Sequence, residues 1–257
     1  MAATTSHHSR TNETPPAWAE RRIPGLRTLL HGLDDATRER VLALTAGRRH
    51  CAPGEPLYQA GSPVSTLYAV QAGALKSLAG AERHRRVVGY HVVGDLLGFA
   101  GLASGTHADE AVACDASDVA LLPYVEIARM ARDVPELHRS LSRVLAIAHG
   151  HVAEKPEHLS DSEAQARLAH FLLRVGERWG SSESPARRFA LHLDNAEVGS
   201  LLALTPDVVD ESFAGLARSG LVEHDGQTVA LLDVSALRRA AEPVRSFGWA
   251  RPATKPH

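Results

Sequence analysis

Cysteine is nearly absent from this chain, with only Cys51 and Cys114 in 257 residues. Two thiols cannot build a disulfide framework, a four-thiolate zinc site or an iron–sulfur site within one chain. Lysine is scarce too, three against twenty-five arginines, a bias that fits a GC-rich genome better than a site. An excess of charge is also missing: 28 Lys plus Arg against 30 Asp plus Glu leave a formal net charge of −2. That balance excludes the whole-chain basic signature that draws proteins to nucleic acid, so any such function must be local. Apolar runs stop after a few residues, and residues 1–16 lack the charged-then-apolar order of a signal peptide. A soluble, cytoplasmic protein with no membrane partner is expected. No nucleophile motif, phosphate loop or metal signature is present either, which argues against an enzyme.

What the chain does have is room for one large or two modest domains. Residues 1–22 are polar, rich in Ser, Thr, His and Pro, and read as a disordered tail. From 23 to 44, Leu26, Leu29, Leu30, Leu33, Val41 and Leu44 are interrupted by Gly32 and the cap-like Asp34 and Asp35, which predicts two short helices. The texture then changes. Short apolar segments at 55–58, 65–71, 74–78, 86–93, 110–115 and 118–123 are punctuated by Gly54, Gly61, Gly73, Gly80, Gly94 and Gly105. Many short strands in so few residues predict a small barrel or jelly roll, large enough for a small ligand. With its flanking helices it fills 23–134.

Helical spacing returns from 125 to 159, where one long segment carries Leu137, Leu141, Val144, Leu145, Ala148 and Val152 on an apolar stripe. Such a stripe needs a partner surface, and a second copy of the helix is the economical one, so 135–160 reads as a dimerisation helix and hinge. Pro156 should end or kink it near Glu154. The block 161–244 follows, with a helix around 164–178, a Gly, Ser and Pro loop at 180–185, and two closely spaced helices. Asp194 and Glu197 form a capping box for the first. Thr205 and Pro206 supply a capping hydroxyl and a first-turn proline for the second, which buries Val209, Phe213 and Leu216 and stops near Gly220. Residues 221–223, Asp225-Gly226 and 228–232 add a tight hairpin, completing a winged helix-turn-helix before a tail at 245–257. The fold class is therefore α+β.

A barrel, a dimer helix and a winged helix-turn-helix, in that order, resemble the CRP/FNR family of transcription regulators. LYAVQAGALKS at 67–77, VVGDLLGF at 92–99, SEAQARLAHFLL at 162–173 and EVGSLLALT at 197–205 are similar to its FNR-like branch in particular. The resemblance spans about 26–237. It implies a cyclic-nucleotide-binding-like sensor domain, a homodimer, promoter DNA as target, and RNA polymerase or another regulator as protein partner. The departures bear on the effector. The FNR cluster requires a Cys-rich N-terminal segment and a barrel cysteine, but no Cys precedes Cys51 and the barrel position is Ala120, so no iron–sulfur cluster is expected. The residues matching the family's cyclic-AMP contacts are Phe99, Ala108 and Asp109, with Glu110 adjacent. Carboxylates there set like charge against a cyclic phosphate, so that ligand is not expected.

No resident cofactor is predicted, while His149, His151 and His158 near the helix end and His84, His91 and His107 in the barrel leave haem or a metal open. Positions 149 and 151 point to opposite sides of an intact helix, which favours solvated or hydrogen-bonded histidines. Cys114 reads as a small buried hydrophobe in a strand. Cys51, at the barrel entrance, reads as the more exposed thiol, open to reaction or pairing between subunits.

The second helix of a helix-turn-helix enters the major groove. In the family its reading face carries a Glu, then a Ser or Gly followed by an Arg that bonds guanine. The matching residues here are Asp207, Asp210 and Glu211, three carboxylates on one face at i, i+3 and i+4 spacing. The basic residue has become an acid. From 161 to 257, eleven Lys plus Arg face thirteen Asp plus Glu, so the module does not offset this repulsion of phosphates. Arg187, Arg188 and Arg218, with Arg238 and Arg239 nearby, are the candidate phosphate contacts. Two functions follow: DNA binding with altered readout, in which Asp210 or Glu211 accepts from cytosine while Thr205 and the arginines hold phosphates, or action through protein partners without useful DNA affinity.

Overall fold

The computed structural model describes residues 29–45, 47–81, 84–149, 160–180 and 187–242, with side chains of 146–149 left aside. The expected tails at 1–22 and 245–257, the break near Pro156, and Val152, His151 and His158 lie outside these residues.

Helix α1 (Asp35–Leu44) begins where Asp34 accepts a 2.7 Å hydrogen bond from the Thr37 amide. The strands then build two antiparallel four-stranded sheets. One has the order β1-β8-β3-β6, from β1 (Arg48–Cys51), β8 (Ser117–Pro123), β3 (Thr66–Ala72) and β6 (Leu96–Leu97); the other, β2-β7-β4-β5, joins β2 (Pro56–Tyr58), β7 (Glu110–Ala113), β4 (Ala74–Ala79) and β5 (Arg86–Val92). The short β1 and β6 carry no apolar alternation of their own and escape the sequence reading.

Alternation along each strand gives the sheets two apolar faces. Inward, Cys51, Leu57, Val70, Leu75, Leu97, Ala111 and Val119 fill the barrel. On the outer face of the first sheet, Leu67, Ala69, Ala120 and Leu122 meet helices. These are α1, α2 (Tyr124–Asp133) and α3 (Pro135–His149). Here the structure corrects the single long helix expected over 125–159. Val134 turns extended, φ −125° and ψ 96°, because the ring of Pro135 disfavours a helical conformation at the preceding residue and brings no amide hydrogen of its own.

The first part of the apolar stripe has a covering surface within the chain itself. Leu137, Leu141 and Val144 are 0 %, 7 % and 6 % exposed in the single chain, packed with Leu29, Leu30, Leu33, Val41 and Ile127. Within the chain they belong to the core between the barrel and its flanking helices. Leu145 packs partly on the same cluster.

Helix α4 (Asp161–Trp179) opens on a reciprocal Ser160–Glu163 capping box. It leads into β9 (Arg188–Ala190), α5 (Asn195–Leu202), α6 (Pro206–Arg218), β10 (Val222–Asp225), β11 (Thr228–Leu231) and α7 (Val234–Ala240). The wing is a three-stranded sheet, β10-β11-β9, one strand more than the predicted hairpin.

This module is not a separate body. The outer face of the second barrel sheet, through Ala74, Val87, Tyr90 and Val92, shares one apolar cluster with Phe171, Leu193, Val198 and Leu201 of the winged module. Polar contacts rim the seam. Lys76 pairs with Glu197, the Ser200 hydroxyl donates to the Val87 carbonyl at 3.0 Å, and Arg178 Nε lies 3.1 Å from Asp95 Oδ1. Tyr90 and Phe171 meet ring to ring at 6.2 Å. Among the described residues, no helix is long and apolar enough to cross a membrane.

Candidate nucleic-acid interface

The helix-turn-helix is assembled from local bonds that the sequence encodes directly. Asp194 accepts from the Glu197 amide at 2.8 Å while the Glu197 side chain accepts from the Asp194 amide at 3.2 Å, so two orphan donors of α5 are satisfied. The chain leaves α5 through Ala203, in the left-handed region at φ 57° and ψ 42°. The Leu204 amide then returns to the Gly199 carbonyl at 2.8 Å. A side chain at Gly199 would stand 2.7 Å from the Leu204 carbonyl oxygen, so the turn closes only over glycine. Thr205 caps α6 by accepting from the Val208 amide at 3.4 Å, and Pro206 occupies the first turn.

On α6 the two faces separate cleanly. Val209, Phe213 and Leu216 are buried, with Phe213 stacked on His224 of β10 at 4.1 Å. Thr205, Asp207, Asp210, Glu211 and Arg218 are exposed. All four predicted reading residues are exposed, Asp207, Asp210 and Glu211 sharing one helical face by their spacing and Thr205 standing at the N-cap, with Arg218 in the last turn of the same helix. The other two arginines sit on the wing, Arg187 donating to the Leu232 carbonyl at 3.3 Å and Arg188 facing Glu223 at 3.8 Å. Arg238 reaches back to Glu177 at 3.4 Å.

One residue on this surface is absent from the sequence reading. Asn195, the first residue of α5, donates its side-chain amide to Asp210 across the two helices. Nothing in spacing or composition marks it, because the contact depends on how α5 crosses α6.

The barrel interior holds a second polar cluster. Tyr58 stacks between Tyr68, centroids 5.4 Å apart, and His107, 3.9 Å apart. Its hydroxyl points to Asp109 Oδ1 at 3.4 Å, and Ser77 Oγ lies 3.0 Å from His91 Nε2. His107 is 3 % exposed and its Nδ1 has no hydrogen-bond partner among the described residues. Burial pushes its pKa below the usual imidazole value, with Asp109 acting in the other direction. Asp109 is itself buried, Glu110 pairs with Arg85 at 2.7 Å, and Phe99 belongs to the core beneath the helices. Ala108 has no side-chain group that could hold a phosphate.

Cys51 corrects its expectation: it is fully buried, and burial pushes its thiol up. Cys114 follows β7, half-buried at the seam, and burial pushes its thiol up to about 12. Neither is an activated thiolate. Among the described residues no three His, Cys, Asp or Glu are grouped to hold a metal ion.

Comparison with known proteins supplies the lineage. Residues 48–133 match the Cyclic nucleotide-binding domain family and residues 166–240 the Crp-like helix-turn-helix domain family. Electron transport regulator A of Shewanella oneidensis is 27 % identical over 193 residues, covering 75 % of this chain and 77 % of its own. The fumarate and nitrate reduction regulatory protein of Escherichia coli is 26 % identical over 197 residues, 75 % of this chain and 78 % of its own. Among solved structures, FixK2 from Bradyrhizobium japonicum shares the fold with a TM-score of 0.61 at 23 % identity, over 76 % of this chain and 96 % of its own. With a barrel of the cyclic-nucleotide-binding-domain type followed by a Crp-like helix-turn-helix, this chain belongs to the CRP/FNR family and is a transcription regulator, not an enzyme.

Proposed function

We propose that the protein acts as a homodimer that binds promoter DNA through α6 and reads bases with carboxylates where its relatives use an arginine. The observation that carries this reading is the division of α6: the caps, the left-handed turn and the buried Val209, Phe213 and Leu216 hold Asp207, Asp210 and Glu211 together on the outward face. A carboxylate in the major groove accepts from the cytosine amino group, so Asp210 or Glu211 selects cytosine where an Arg selects guanine. Thr205, Arg187, Arg188 and Arg218 supply phosphate contacts. The dimer rests on the resemblance to the family, with Leu145, Ala148 and Val152 as its remaining candidate contacts. RNA polymerase or a second regulator completes the assembly at the promoter.

The proposed effector is neither an iron–sulfur cluster nor a cyclic nucleotide. The barrel-cysteine position is Ala120, buried in β8, and a buried Asp109 stands where a phosphate-binding group is required.

A second reading has its own support. Arg188 and Arg238 are paired with acids, while three exposed carboxylates make no ion pair among the described residues, a surface suited to a basic protein partner. The deciding experiment exposes the purified protein to a random-sequence duplex pool at several salt concentrations, with absorption spectra recorded alongside. An enriched palindrome with a steep salt slope establishes DNA reading. No binding at low salt by a folded protein transfers the function to the partner reading.

A further inference from the structure

The contact between Asn195 and Asp210 distinguishes the three carboxylates from one another. Asp207 and Glu211 make no hydrogen bond or ion pair to another side chain among the described residues, whereas Asp210 accepts at Oδ1 from the Asn195 amide. The donor stands at the start of α5, fifteen residues earlier, on a helix whose other side is fixed to the barrel by Lys76 and by Ser200. An exposed aspartate on a helix otherwise samples several rotamers. Tied at Oδ1 to a second helix, it keeps one orientation and leaves Oδ2 as an acceptor.

We infer that Asn195 is a positioning residue that makes Asp210, and not Glu211, the carboxylate that selects cytosine in each half-site. This rests on the DNA-reading function proposed above. The chemistry is consistent on three counts. Cytosine offers an amino donor in the major groove, which suits an oriented carboxylate oxygen. The amide donated to Oδ1 draws negative potential away from the approaching phosphates, where a bare carboxylate is most costly. Ordering the reader before DNA arrives also removes an entropic cost from binding.

The test uses the full chain, with Asn195→Ala, Asn195→Gln and Asp210→Ala selected on the same duplex pool. In the unaltered protein one half-site position favours cytosine, and Asp210→Ala abolishes that preference. Asn195→Ala is expected to reduce it by about 5–10-fold while other positions keep their preference within about twofold. Asn195→Gln, which retains an amide donor, recovers part of it. The salt slope and the melting temperature are unchanged, since Asn195 neutralises no phosphate and fills no core. If Asp210→Ala removes the preference and Asn195→Ala leaves it intact, the positioning role is overturned while DNA reading stands. Uniform weakening at every position with a lower melting temperature also overturns it, as a merely structural role. If the pool still enriches a palindrome but no base preference in it depends on Asp210, the inference is overturned while DNA reading stands; if the unaltered protein enriches no site at all, the reading beneath it fails and the inference falls with it.

Discussion

At the residue scale, function turns on a few charges and one backbone conformation. Glu211→Arg restores the cation that the resemblance leads one to expect on α6. If α6 reads DNA, this variant shifts the preferred half-site toward guanine by about 1–3 kcal/mol of discrimination; an unchanged selection profile would show that position 211 does not face bases. Ala203 occupies a left-handed conformation, φ 57°, that costs a residue with a Cβ roughly 1–2 kcal/mol, against the roughly 0.5–1 kcal/mol of extra unfolded-state entropy that glycine brings. Ala203→Gly is therefore expected to raise unfolding free energy by about 0.5 kcal/mol in denaturant titration, the difference between those two opposing costs. His107 sets a pH dependence. Its folded pKa lies below its ordinary value of 6.5 because of burial, so the unfolded chain binds the proton more readily. The stability this group contributes is complete above about pH 6.5 and is lost as pH falls toward the depressed folded value. His170, lowered by burial and by Arg174, acts in the same direction. Replacing His107 by Phe should flatten melting temperature between neutral and mildly acid pH, and a slope that survives the change assigns it to other groups.

At the element scale, periodicity locates helices and strands but not their partners. The caps of α5 and α6 were legible because Asp194 and Thr205 sit three residues ahead of the amides that donate to them, and the strand centres because Leu67, Ala69, Leu75 and Ser77 alternate. Strands β1, β6 and β9 were not, since Arg48–Cys51, Leu96–Leu97 and Arg188–Ala190 are too short or too polar to show a period. The stripe on α3 shows the limit best. Leu137, Leu141 and Val144 have the spacing of an interface, and spacing alone cannot say whether the covering surface belongs to the same chain or to another. Leu137→Ala separates the cases. For a residue fully buried within the chain the loss is about 2–5 kcal/mol, independent of protein concentration. A loss visible only on dilution would return Leu137 to a dimer interface. Likewise Asp207, Asp210 and Glu211 could be placed on one face from i, i+3 and i+4 spacing, but the bond from Asn195 needed the crossing of two helices.

At the scale of the whole molecule, the barrel sheet β2-β7-β4-β5 works on both sides. Its inner face carries Ser77 and His91 beside the Tyr58, His107 and Asp109 cluster, and on its outer face the neighbouring residues Lys76 and Tyr90 hold the winged module. Lys76→Ala leaves Glu197 half-buried without its cation, and removing one partner of such a pair costs about 1–3 kcal/mol. Faster hydrogen exchange in α5, with the barrel strands unaffected, is the expected result; uniform exchange would mean that the seam does not depend on this pair. The shared core across that seam has a metrological consequence. If that core stays closed in the proposed dimer, the reading helix is held in one place and the molecule measures its operator as a fixed calliper does. One extra base pair between half-sites shifts the second by about 3.4 Å and rotates it by roughly 35°, and a rigid frame must forfeit contacts where a loosely jointed one would follow the turn.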